Sequence, residues 1–308
     1  MGLSRGALGL LLISGVASAQ MLMDRAPPQH RIAYKNLTAL RYNPLGLLDD
    51  ARFMYRYRLY ETDKVALRDN FIGVGLAPTF SPAMLKIGPY VEFNPSTVFG
   101  VWSAIQFVQY FGSFNLLQSF PGAQSDFSDT AIKNNSAQRQ ATNGFEVTIG
   151  ANLNLKFGPI VVRSFFRAIY GSMNVRPGDR VHYDQFYDVL MPNKGWSLTN
   201  DLDVLGQFFM NRIVAGVRYT LTVPLYAKTR HYDPSDPIQQ VNNNMHRVGP
   251  LVGYTFFSED GAGFNNPTIF LLVQWWAQHR FRTGADTSAA LPLMGLGFQF
   301  TGDLLPFK

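Results

Sequence analysis

Ten basic residues recur inside segments that otherwise alternate between apolar and polar: Arg52, Arg56, Arg58, Lys86, Lys156, Arg163, Arg167, Arg212, Arg218 and Arg247. Four acids, Glu92, Glu146, Asp201 and Asp203, share that setting. In an extended chain every second side chain points the same way, so these charges collect on one face. Enclosed by a low-dielectric wall, such a face attracts anions. The same long side chains can also fill a narrow bore by pairing with Glu92, Glu146 and backbone carbonyls. Acid–base chemistry has thinner support. His182-Tyr183-Asp184 and His231-Tyr232-Asp233 each put a His and an Asp on one side of an extended segment, and Asp201/Asp203 could supply a second acidic pair. None of the five histidines has a serine two residues away, the spacing a rim Ser–His hydrolase needs. Dipeptide spacings of this kind arise by chance, so no catalytic residue and no enzyme is expected. Asp233, Asp236, Glu259 and Asp260 match no calcium-loop spacing, and Asn134-Asn135-Ser136 is only a sequon. No metal and no cofactor is expected.

The elements that must carry these charges are strands. From Phe145 to Phe157 every odd position is apolar and every even one is polar or glycine, a period of two over thirteen residues. Phe53, Tyr55 and Tyr57 oppose Arg52, Met54, Arg56 and Arg58 in the same way. So do Ile213, Ala215, Val217, Tyr219 and Leu221 against Arg212, Gly216, Arg218 and Thr220. Strand candidates fall near 50–60, 70–79, 83–93, 98–111, 144–157, 160–172, 196–206, 212–225, 246–257, 267–279 and 290–300. The segment 196–206 is weak because Asp201 and Asp203 sit within it. An even count needs one more, and 31–42 is the remaining candidate. The expectation is twelve antiparallel strands, with ten or fourteen as alternatives.

Asn94–Thr97 and Phe157–Pro159 read as tight turns, whereas about 112–143, 174–194 and 227–244 read as long polar loops. Trp102, Trp196, Trp275, Trp276 and the tyrosines are expected in interfacial girdles, where an amphipathic ring gains from both phases. For Trp276, which alternation turns inward, carbohydrate stacking is the sharper alternative.

Bulk composition narrows the class. The chain has 308 residues and no cysteine, which excludes disulfides, zinc–thiolate sites and thiol nucleophiles. It combines 25 Phe and 14 Tyr with only 16% charged residues, an unusual balance for a surface bathed in water. Residues 1–19 read as a cleavable export signal: Arg5, an apolar run Gly6–Val16, then Ala17-Ser18-Ala19. That run is shorter than the roughly 20 residues a spanning helix needs. Losing Arg5 lowers the formal charge from +6 to +5, and residues 20–308 remain as one all-β domain.

Near the C-terminus stands Met294-Gly295-Leu296-Gly297-Phe298-Gln299-Phe300. Gly295, Phe298 and Phe300 fill slots that resemble the terminal assembly signal of bacterial outer-membrane β-barrels. Two departures are Met294, where a polar residue is usual, and the tail Thr301–Lys308. The phrases Asn43-Pro44-Leu45-Gly46-Leu47 and Tyr110-Phe111-Gly112 are similar to those of uncharacterised myxobacterial-type outer-membrane proteins. The resemblance implies a porin-like transmembrane barrel, integral to a Gram-negative outer membrane, with short periplasmic turns, long extracellular loops and both termini periplasmic. It implies outer-membrane lipid and the barrel assembly machinery as partners, and no nucleic acid. The expected function is a narrow, basic-lined, anion-biased passive pore for small solutes. The alternative is a non-conducting scaffold barrel that meets envelope proteins through loops 112–143 and 174–194.

Overall fold

The computed structural model describes residues 27–111, 117–259 and 262–305. The export signal, with Ala17 and Ala19, and Gly112 and Asp260 lie outside the described residues.

Period-two patterning becomes a closed antiparallel wall. In chain order come β1 (His30–Tyr42), β2 (Gly46–Arg58), β3 (Phe71–Leu76), β4 (Thr79–Ser81), β5 (Met84–Ile87), β6 (Pro89–Asn94), β7 (Phe99–Tyr110) and the two-residue β8 (Ser119–Phe120). There follow β9 (Thr142–Phe157), β10 (Ile160–Met173), β11 (Val181–Asp184), β12 (Val189–Pro192), β13 (Gly195–Phe208), β14 (Ile213–Pro224), β15 (Met245–Thr255), β16 (Asn265–Gln278) and β17 (Leu293–Asp303). Three short helices, α1 (Val65–Arg68), α2 (Asp129–Asn134) and α3 (Lys228–His231), lie in connections.

β1 pairs with both β2 and β17, which closes the ring and leaves no edge. β3 with β4, and β5 with β6, each form one wall strand, interrupted at Ala77-Pro78 and at Gly88 just before Pro89, prolines that lack the N–H a ladder needs. The wall therefore has twelve strands. The weak candidates 31–42 and 196–206 are both strands, seen as β1 and β13. β8, β11 and β12 form a separate three-stranded sheet.

Burial follows the alternation. Along β15, Met245, Arg247, Gly249, Leu251, Gly253 and Thr255 are buried, and the residues between them from Val248 to Tyr254 are exposed. Every wall strand repeats this, so the exposed face is the outside of the ring. That outside is apolar around its circumference. Val101, Ile149, Val204, Val217, Val252, Leu271 and Leu296 occupy its middle, and Tyr55, Phe93, Phe208 and Tyr254 lie toward one end. Tyr42, Phe107, Phe145, Trp196 and Trp275 lie toward the other. A continuous greasy belt between aromatic rims, with all backbone groups satisfied around the ring, is a surface for lipid.

One end carries the long connections 111–141, 174–194, 225–244 and 279–292, with only the turns at 43–45 and 82–83 kept short. The opposite end carries His30, Asp303 and the connections 59–70, 95–98, 158–159, 209–212 and 256–264. The segment 279–292 joins the long loops expected from sequence.

Two tryptophans depart from the girdle expectation. Trp102 and Trp276 are buried on the inner face, and only Trp196 and Trp275 are on the outer one. Trp102 stacks with Tyr90 at 5.7 Å between ring centres and lies over Gly150. A Cβ at residue 150 would fall 2.1 Å from that ring, so only glycine fits there.

Candidate functional site

The inner face holds the charges that alternation places there. Arg52, Arg56, Lys86, Arg163, Arg167, Arg218, Arg247, Glu92, Glu146, Asp201 and Asp203 are all buried. Three of the expected residues are elsewhere. Arg58 ends β2 and donates to the Pro27 carbonyl at 2.5 Å, and Lys156 and Arg212 are exposed beside the turns at 158–159 and 209–212. Their parity is inward, but the ring ends before they can be enclosed.

Six of these seven buried cations meet a carboxylate. Asp203, fully buried, receives Arg163 at 2.6 Å and Arg218 at 2.6 Å. Arg167 meets Asp201 at 3.1 Å, and Thr220 donates to the same carboxylate at 2.7 Å. Lys86 and Glu146 are 2.8 Å apart, and Arg56 and Glu92 are 3.6 Å apart. Arg52 lies 3.7 Å from Asp50, which takes a hydrogen bond from Thr79. Asp50, Lys35, Arg31 and Arg41 are additional buried charges on the inner face. Asp50 was legible in principle, because it shares parity with Arg52 and Arg56.

Aromatic faces take part of the remaining positive charge. The Arg56 guanidinium lies 4.1 Å from the centre of the Phe71 ring, and that of Arg52 lies 4.9 Å from Tyr90. Ion pairs in so dry a setting contribute little net stability, since desolvation offsets attraction. Their effect is to hold long side chains in fixed places along the inner wall, between strands that are adjacent or one apart.

The other half of the interior is apolar. Leu37 and Ala39 of β1, Leu205, Val214, Leu251, Phe270, Leu272 and Leu293 form one cluster with Val189 and Met191. Those last two belong to β12. The β11–β12 hairpin, from the connection 174–194, is thus packed into the barrel against the wall.

Its tip is fastened by side chains. Arg41 donates to the carbonyls of Gln185 at 2.6 Å and Phe186 at 2.9 Å, and Gln185 donates to the Leu45 carbonyl at 2.6 Å. Asp184 accepts from the Phe186 and Tyr187 amides, which shapes the turn. Asp188 accepts from Tyr183 at 2.7 Å and forms an ion pair with Arg282 at 2.5 Å. Arg282 also bonds Asp129 of α2 at 2.7 Å and Asn43 at 3.1 Å. One guanidinium thus joins the hairpin, the 111–141 connection and the β1–β2 turn.

Above the tip, Phe120, Phe127, Val181, Tyr183, Leu190 and Tyr232 make a second apolar cluster, drawn from three connections. Beside the tip a cavity of about 480 Å³ is lined by Leu45, Pro82, Met84, Tyr110 and Phe186 among others.

Neither His–Tyr–Asp triplet forms a catalytic pair. His231 accepts from the Ala227 amide through Nδ1 and faces the Asn193 carbonyl through Nε2 at 3.0 Å. Asp233 caps Ser235. His182 is buried in β11, and burial pushes it down to about 4. His279 accepts the Phe281 and Arg282 amides through Nδ1 and lies 2.7 Å from the Asp188 carbonyl through Nε2. That geometry fits the neutral ring, and burial lowers the His279 pKa. Burial opposes ionisation of Asp188, but the Arg282 guanidinium, with the Tyr183 hydroxyl, outweighs it and keeps its pKa below the usual value. Among the described residues no group of three or more His, Asp or Glu could hold a metal.

Gly295 pairs with Arg41 and Leu272 in neighbouring strands, and Phe298 faces outward. Phe300 lies 5.9 Å from Tyr34 and 5.0 Å from Phe264, so the terminal strand is tied to β1 across the closure.

No family model matches the chain, and no curated protein does. Among solved structures it is similar to OccAB1 of Acinetobacter baumannii at 7% identity, over 90% of this chain and 96% of that one, with a TM-score of 0.40. It is similar to the KdgM porin at 9% identity, over 87% of this chain and 98% of that one, with a TM-score of 0.37. The Pseudomonas putida toluene transporter TodX matches at 9% identity, over 90% of this chain and 88% of that one, with a TM-score of 0.34.

Proposed function

We propose that the chain is an outer-membrane barrel that passes small solutes passively and rests closed, with the β11–β12 hairpin as its stopper. The observation that carries this reading is the separateness of the hairpin. Its ladder is not part of the wall sheet, and its tip is fastened by a few side chains, Arg41, Gln185, Asp188 with Arg282, and His279. Removing it leaves the twelve-stranded ladder whole. In this reading the long connections face outward, the termini lie on the periplasmic side, and passage favours anions. The anion bias draws support from an inner face on which basic residues outnumber acidic ones, with the Arg41 guanidinium given to backbone carbonyls.

The near-complete burial of the inner-face charges, Arg56, Glu92, Arg163, Asp203 and Arg218 among them, favours a second reading, because their side chains and the hairpin together fill the bore. In that reading the barrel conducts nothing and works through the connections 112–143 and 174–194 as a scaffold for envelope partners.

Planar-bilayer recording of the refolded barrel separates the two. The wild type should show rare, brief steps. Replacing Asp184–Asp188 by two glycines should give steps at least ten times longer, with a chloride-side reversal potential under a KCl gradient. A shortened barrel that is folded yet silent would overturn the pore and leave the scaffold. Arg52→Gln and Arg56→Gln should then reduce anion preference in the opened form.

A further inference from the structure

Beneath the hairpin lies a cavity of about 20 Å³, roofed by Phe186 and Tyr187. Four arginines line it, Arg41, Arg167, Arg218 and Arg247, against one carboxylate, Asp201. We propose that this cavity is a binding site for one small monovalent anion, a halide such as chloride, gripped by Arg247 and Arg167.

Arg247 is 5% exposed and Arg167 3% exposed. Nε and Nη1 of each are buried and meet no hydrogen-bond partner among the described residues. A buried guanidinium left in that condition is costly, and an anion accepting from it supplies both charge and acceptor. The other lining charges are committed. Asp201 accepts from Arg167 and Thr220, Arg218 is held by Asp203, and Arg41 is spent on the hairpin carbonyls. The surplus at this point is positive, and it resides on Arg247.

Size selects the ligand. A space of this volume holds about one water-sized sphere. A halide fits, whereas phosphate or an organic carboxylate is too large. The site stands whether or not the barrel conducts, because it is defined by the closed interior.

The test uses the refolded chain in detergent, melted in sodium chloride and in sodium gluconate at equal ionic strength. Chloride should raise the melting temperature by about 4 °C, as expected for a ligand that binds only the folded state. Arg247→Gln should abolish that difference. If the variant does not fold, line broadening of the ³⁵Cl resonance by the wild type, competed by bromide and not by gluconate, reads the same site. Equal melting in both salts with no ³⁵Cl broadening would mean that water alone fills the cavity, and the proposal would be wrong.

Discussion

Asp203 takes two guanidinium groups in a place with no water contact, so its removal strands both Arg163 and Arg218. Breaking one side of a buried ion pair costs about 3–5 kcal/mol, far more than the pair itself contributes. Asp203→Ala should therefore lower stability in urea unfolding by that order. The triple replacement Asp203→Leu, Arg163→Met, Arg218→Met should recover most of the loss. A single variant as stable as the wild type would mean the pairs are relaxed by solvent. The histidines of the loop-side connections, His182, His231 and His279, supply a pH dependence. His182 is neutral when folded, its pKa pushed down to about 4, and burial lowers His231 and His279 in the same direction. The unfolded chain takes up these protons near pH 6.5, before the folded one does. Stability from this source is whole above pH 6.5 and falls as the pH drops toward 4. Trypsin cleavage of the 174–194 connection should accelerate over that window and flatten in His182→Gln. Unchanged cleavage from pH 7 to 5 would remove the histidines from this account.

At the scale of the element, the hairpin shows why the wall was legible and the inward-folded connection was not. β9 alternates cleanly because lipid bounds one face and polar groups the other, so the contrast is complete. β1 alternates poorly because its inner face carries apolar Ala33, Leu37 and Ala39, of which Leu37 and Ala39 pack in one cluster with the hairpin. The contrast vanished there for a structural reason. β11 and β12 have four residues each, all buried on both faces, inside a stretch rich in Asp, Asn, Pro and Gly. Nothing local distinguishes them from a solvated loop, and the residues that anchor them, Arg41, Asn43 and Arg282, are more than 80 positions away in sequence. Trp102 and Trp276 were misplaced for the related reason that a ring suited to an interface is equally suited to a packed bore. Arg282→Ala cuts the hairpin's ion pair with Asp188 and its link to Asp129 while leaving the wall intact. Proteolysis of the 174–194 connection at pH 7 should rise several-fold with no change in barrel melting. A connection as resistant as in the wild type would assign the hold to Arg41 and the apolar clusters.

For the whole molecule, the charges of the wall strands lie inside, beside an apolar cluster, and the outside is stripped of charge, the reverse of a protein dissolved in water. The ring can exist in this form only if its belt meets hydrocarbon, and a single strand tests that. Val217 is 48% exposed at the middle of β14, and Leu225 is 44% exposed just beyond its loop-side end. Both are aliphatic, exposed to a similar degree, and on the same side of the same strand by alternation. In water an arginine at either site would be equally harmless. In a bilayer the guanidinium at residue 217 lies near the midplane, where it costs about 2–4 kcal/mol, and at residue 225 it reaches the interface at about 0–1 kcal/mol. Folding equilibria of Val217→Arg and Leu225→Arg into vesicles of a short-chain phosphatidylcholine should therefore differ by about 2 kcal/mol or more. The difference should disappear when the bilayer is replaced by a micelle that lets water reach the belt. Equal costs in the bilayer would mean the ring lies at a different depth or tilt, with residue 217 no longer near the centre.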